Sequence, residues 1–138
     1  MKTRITWVED MTYVAQSASG HALVLDGPPE LGGRNLGPRP MEMLLMGMGG
    51  CTAVDVVHIL RKARQDLRGC ELQVEAERAD SDPKVFTHIR VHFILTGKDL
   101  SAKHVERAIE LSAEKYCSAS IMLGKTAQIA HTFEIRDA

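Results

Sequence analysis

The hydrophobic pattern changes period several times along the chain. Over the first 26 residues apolar and polar positions alternate: Ile5 and Trp7, then Tyr13 and Ala15, then the short run Ala22-Leu23-Val24-Leu25. Glu9-Asp10 and Ser19-Gly20 fall where turns are needed, which predicts a small antiparallel meander. From Met41 to Met48 the chain is apolar nearly all round, and Pro40 stands where a first helical turn tolerates proline. Gly47, Gly49 and Gly50 are expected to end or bend this helix before Cys51. A second helical segment follows, with Val54, Val57, Leu60 and Ala63 inward and Arg61, Lys62 and Arg64 outward.

Strict alternation then returns. Leu72, Val74 and Ala76 interleave with Glu71, Gln73, Glu75 and Glu77, and Ile89, Val91, Phe93 and Leu95 form a second apolar face. The linker Asp80-Ser81-Asp82-Pro83-Lys84 makes the two strands a hairpin. Ser101 reads as the N-cap of a helix through Tyr116. A short helical piece around Ile121 to Leu123 and a last strand carrying Ile129, His131, Phe133 and Ile135 complete the chain. The class is α+β: antiparallel strands packed against two helical segments that each carry a cysteine.

Gly27 to Pro40 fits neither period. It holds four of the five prolines (Pro28, Pro29, Pro38, Pro40) and four glycines. Such a loop is either a functional element or a mobile connection or dimer arm.

Composition narrows the picture. At 138 residues and 44% hydrophobic content the chain suits one domain, 1–138, with a core of its own. A formal net charge of −1 leaves no electrostatic footprint for nucleic acid. The N-terminus shows no apolar leader core, and no uninterrupted apolar run reaches the ~20 residues of a membrane span, so neither a leader nor a membrane partner is expected. Three cysteines without secretory features point to a reducing, cytoplasmic setting. Six scattered histidines, of which His88 and His92 share a strand face, lack the spacing of a metal site, and no nucleotide fingerprint is present; no metal or cofactor is expected.

The candidate chemistry lies in Cys51 and Cys117, 66 residues apart and both flanked by small residues. A thiol starting a helix after Gly49-Gly50 would face unpaired N–H groups and the positive end of the helix dipole, which favour the thiolate. Its bland alternative is a small buried hydrophobe. Cys70, at a strand start, reads as structural. Glu42 is either a functional carboxylate or an acid suited to a first helical turn, and Arg39 a site cation or a solvated loop residue. Asp55 shares the helix face of Cys51. The seven methionines either fill the core or line an adaptable apolar pocket.

Pro40-Met41-Glu42-Met43, Gly49-Gly50-Cys51-Thr52-Ala53 and Ser112-Ala113-Glu114-Lys115-Tyr116-Cys117, in this order and between these strands, resemble the osmotically inducible protein C and organic hydroperoxide resistance (OsmC/Ohr) superfamily, and within it the YhfA-like branch. The resemblance covers nearly the whole chain. It implies an OsmC-like fold, an intertwined homodimer with antiparallel sheets around two central helical segments, and a cysteine pair at the dimer interface. It further implies a peroxidase acting on organic hydroperoxides. Cys51 matches the attacking position and Cys117 the resolving one, with a dithiol as reductant. The family's peroxidases add a glutamate directly after the proline and an arginine from the N-terminal strands. Here Glu42 stands one place later and Tyr13 to Leu25 holds no arginine, which leaves Arg39 or Arg34 as substitutes. The alternative is a non-catalytic, stress-related dimer that binds an apolar small molecule in the family pocket.

Overall fold

The computed structural model describes all 138 residues. Its contacts fall into two compact units, Met1–Met46 and Gly47–Ala138, with the boundary inside one long helix.

The N-terminal unit is the expected meander. Strands β1 (Thr3–Glu9), β2 (Thr12–Ser17) and β3 (Ala22–Asp26) form an antiparallel sheet in that order. Asp10, with φ of 48°, makes the tight β1–β2 turn, in a region where aspartate is better tolerated than most residues. The loop after β3 is ordered around one carboxylate. Asp26 is fully buried, and its Oδ2 accepts from Arg34 N and Leu36 N at 3.1 Å each. Burial alone would raise its pKa, but these two N–H groups help to hold it below the usual aspartate value. A single 3-10 turn, Pro29–Leu31, lies within the loop.

Helix α1 runs unbroken from Pro40 to Lys62. The expected break at the glycines does not occur, because the cost of about 1 kcal/mol per helical glycine is outweighed by the apolar face that the helix buries. Met48, Gly49, Thr52, Val56 and Leu60 form that face at near four-residue spacing. Gly49 lies against the strand that follows the helix, where an added Cβ would stand 3.4 Å from Val74 Cγ2. By length and composition α1 also reaches what a membrane span requires, contrary to expectation; its buried stripe is equally that of a core helix. The start is fixed by one half of a capping box, in which Glu42 Oε1 accepts from Arg39 N at 2.8 Å, with Pro40 at the first helical position. At the other end Arg64 adopts φ of 58° and Gln65 N donates back to Leu60 O.

In the C-terminal unit β4 (Asp66–Arg78) and β5 (Phe86–Lys98) pair antiparallel, with Leu72 opposite Phe93, Val74 opposite Val91 and Ala76 opposite Ile89. Strand β6 (Gln128–Asp137) lies on the other side of β5 and parallel to it, with His131 beside Val91 and Phe133 beside Phe93. The all-antiparallel expectation is corrected at this strand. Its connection carries helix α2 (Ala102–Leu111), a π turn (Ser112–Tyr116) and helix α3 (Ser118–Leu123), enough chain to return the strand in the same direction. Ser101 caps α2 as expected, accepting from His104 N at 3.4 Å. Phe93, Ile89, Leu95, Val91, Val105 and Ala108 are buried at the centre of this unit.

Candidate active site

Cys51 is the twelfth residue of α1 and points from its middle, not from a helix start. The N–H groups of its own helix are therefore engaged, and the dipole argument for its thiolate does not apply. A donor comes instead from the first turn of α3, where Ala119 N–H faces the sulfur. Cys117 reaches the same place by a different route. The π turn ends with Cys117 N donating to Ser112 O at 2.8 Å, and Cys117 then takes an extended conformation and caps α3. The wide turn replaces the last turn of the single helix expected through Tyr116. π turns of this kind often occur at functional sites.

The two sulfurs and a carboxylate oxygen of Asp55 all lie within 4.8 Å of one another. All three cysteines are free thiols. Cys117 is fully buried and Cys51 half-buried. Around Cys117 Sγ the hydrogen bonding is dense: Thr52 Oγ1 lies at 3.2 Å, Ser120 N donates at 3.3 Å, and Thr52 Oγ1 is 3.1 Å from Ser120 Oγ. Asp55 Oδ2 accepts from Ser112 Oγ at 2.9 Å. The residues that sequence reasoning missed are Thr52, Ser112 and Ser120. Their one signal was position: Thr52 follows Cys51, and Ser120 is third after a residue that can serve as an N-cap.

These contacts divide the negative charge unevenly. At Cys51 the Ala119 N–H favours thiolate, but burial, the neighbouring Cys117 and the Asp55 carboxylate outweigh it and push its pKa up. At Cys117 burial opposes ionisation, yet the Ser120 and Thr52 hydroxyls, the Ser120 N–H and the Cys51 thiol together pull its pKa down. The pair titrates as one system, and the hydrogen-bond donors that favour its charged form are gathered on Cys117. The lowered pKa expected at Cys51 is found at Cys117 instead. Cys70, half-buried in β4, has its thiol pushed up by burial alone, in keeping with a structural role.

Arg39 and Glu42 make local bonds in the N-terminal unit. Arg39 Nη1 donates to Asn35 Oδ1 at 2.7 Å, and Glu42 caps α1 as described. Arg34 pairs with Glu9 at 2.9 Å and with Asp10 at 3.3 Å. His88 and His92 face Glu77 and Glu134 respectively, each across the sheet. The groups that could hold a thiophilic metal ion are Cys51, Asp55 and Cys117, one ligand fewer than a closed structural zinc site takes. A cleft of about 470 Å³ is lined by Asp55, His58, Ile59, Lys62, Leu111 and Tyr116.

The model of the OsmC-like protein family matches residues 32–132, which include both cysteines, all of α1 and the β4–β5 hairpin. The chain belongs to the OsmC-like family. It is 49% identical over 135 residues to Protein YhfA of Escherichia coli (strain K12), covering 98% of each chain. Among solved structures, a hypothetical protein from Aquifex aeolicus superposes with a TM-score of 0.88 at 26% identity, covering 99% of this chain and 96% of that one. An organic hydroperoxide resistance protein OsmC from Legionella pneumophila superposes with a TM-score of 0.72 at 18% identity, covering 96% and 95%. At that identity the likeness is one of fold.

Proposed function

We propose that this OsmC-like protein is a thiol peroxidase that reduces organic hydroperoxides in the cytoplasm, as part of oxidative stress defence. The observation that carries the reading is the pair of free thiols, Cys51 and Cys117, within 4.8 Å of each other and surrounded by donors. Cys51, the more accessible sulfur, attacks the terminal oxygen of the hydroperoxide. The O–O bond breaks, an alcohol leaves, and Cys51 becomes a sulfenic acid. Cys117 then attacks the Cys51 sulfur, hydroxide leaves as water, and a disulfide forms. A dithiol reductant reopens it through a mixed disulfide. Two thiols thus supply the two electrons that reduce one hydroperoxide to alcohol and water. Arg39 and Glu42 enter this reading as the residues that fix the start of the helix carrying Cys51.

The working form in this reading is a homodimer. Every residue of β1 is exposed, Ile5, Trp7 and Val8 among them, and in the C-terminal unit Val54, Tyr116 and Met122 are exposed as well. Apolar surface of this kind is what a second copy would cover. Light scattering should give twice the 15.2 kDa mass of one chain.

The deciding experiment follows cumene hydroperoxide in the presence of dihydrolipoamide. Wild type should consume it, and Cys51→Ser should fall by about three orders of magnitude. Equal, slow consumption by both would overturn the enzymatic reading. The cleft beside Asp55, with Ile59, Leu111 and Tyr116 in its wall, would then favour a non-catalytic dimer that binds an apolar small molecule.

A further inference from the structure

We infer that Cys117 is the base that removes the proton from Cys51 during peroxide attack, before it acts as the resolving thiol. The inference rests on the peroxidase reading and adds a step to it. Fully buried, Cys117 Sγ accepts from Ser120 N at 3.3 Å and lies 3.2 Å from Thr52 Oγ1. A thiolate can only accept. Thr52 has one hydroxyl proton and must give it to that sulfur, and Ser120 Oγ–H then donates to Thr52 across 3.1 Å. With Cys117 ionised, every hydroxyl proton in the chain Ser120–Thr52–Cys117 has an acceptor. These neutral donors occupy the role that a cation would otherwise fill.

The titratable groups facing the pair set how many charges it holds. Asp55, also on α1, lies within 4.8 Å of both sulfurs, its Oδ2 held by Ser112 Oγ from the π turn. Helix α3 contributes only the uncharged Ala119 and Ser120 to this contact. A second thiolate beside Asp55 is disfavoured by like charge, so the pair carries at most one thiolate, and the donors gathered around Cys117 Sγ place it there. The opposite shifts of the two thiols agree with that distribution.

The step balances as follows. The Cys51 sulfur forms a bond to the terminal oxygen of the hydroperoxide while its proton passes to Cys117 Sγ and the O–O bond breaks. The departing alkoxide takes the proton from Cys117 and leaves as alcohol. Cys117, again a thiolate, attacks the sulfenic sulfur of Cys51, expelling hydroxide, which takes a proton from solvent. Thr52 is a positioning residue in this scheme, acting through Cys117.

The test is single-turnover formation of the Cys51 sulfenic acid without reductant, trapped by dimedone, across pH 5 to 10. If Cys117 only resolves, Cys117→Ser forms the sulfenic acid at the wild-type rate and simply accumulates it. We expect instead a loss of about 100-fold at pH 7, the ordinary size of a general-base contribution, recovered at alkaline pH where Cys51 ionises unaided. Thr52→Val should move the acidic limb of the wild-type profile to higher pH, and Thr52→Ser should restore it. A Cys117→Ser rate equal to wild type at every pH would overturn the proposal. A wild type inert to hydroperoxide would overturn the peroxidase reading instead. Iodoacetamide alkylation of Cys51 in a Cys70→Ser background then tests the proton transfer alone. A pH profile in Cys117→Ser that is unchanged or moved to lower pH, as loss of a merely repelling neighbour would give, overturns it, and a profile moved to higher pH supports it.

Discussion

Two buried acceptors, one in each unit, are held by the same kind of donor and serve different ends. Asp26 ends β3, and its carboxylate collects Arg34 N and Leu36 N from the loop that follows. Cys117 ends the π turn, and its sulfur collects Ser120 N and the Thr52 hydroxyl. In both, burial opposes the charge and nearby N–H or O–H groups outweigh it, so both pKa values fall. The difference lies in the ordinary value from which each falls. A carboxylate lowered from 3.8 is ionised at all physiological pH and behaves as a fixed strut. A thiol lowered from 9.0 moves toward neutrality, where it can exchange a proton during a reaction. One arrangement of donors gives a fixed charge in the first case and a titratable group in the second.

The comparison breaks most visibly at Asp26. Asp26→Leu leaves two backbone N–H groups in the loop without their acceptor, and the melting temperature should drop by roughly 10 °C. A melting temperature within 2 °C of wild type would mean that the loop holds its shape without the carboxylate. A smaller loss should come from acid. Because the folded pKa of Asp26 is depressed, its contribution is complete above 3.8 and disappears as pH falls through the folded value. Urea unfolding below pH 4 should therefore show a decline in stability that is absent in Asp26→Asn. The smallest effect on stability is expected at the other acceptor. Ser120→Ala removes one hydroxyl from the chain that ends at Cys117 and should cost about 1 kcal/mol. A much larger loss would make the Cys117 pocket a strut like that of Asp26.

Local patterning made most of the fold legible. The meander, the β4–β5 hairpin and the Ser101 cap follow from alternation, turn residues and one N-cap signal, all of which operate over a few residues. Three features did not follow. The glycines of α1 weaken a helix by intrinsic propensity, whereas the face through Met48, Thr52, Val56 and Leu60 is buried by residues distant in sequence. The direction of β6 depends on how the chain between Asp99 and Ala127 folds back, which the alternation within the strand does not encode. At the site, Cys51 and Cys117 are legible as a pair, but the expected helix start at Cys51 does not exist, and the donors that favour a thiolate gather on Cys117. The donors that lower Cys117 come from Thr52 and Ser120, 65 residues before it and three after it. Pattern alone does not join such positions.

The π turn between Ser112 and Tyr116 makes the placing of the two thiols depend on residue count as well as residue identity. An α-helix advances about 100° per residue. The four residues between Ser112 O and Cys117 N set the angle at which Cys117 leaves α2. Removing any one of them would restore α phase and turn the sulfur by about that angle, with every side chain at the site intact. In this segment length decides where the thiol lies, and a one-residue deletion is a larger change than most substitutions.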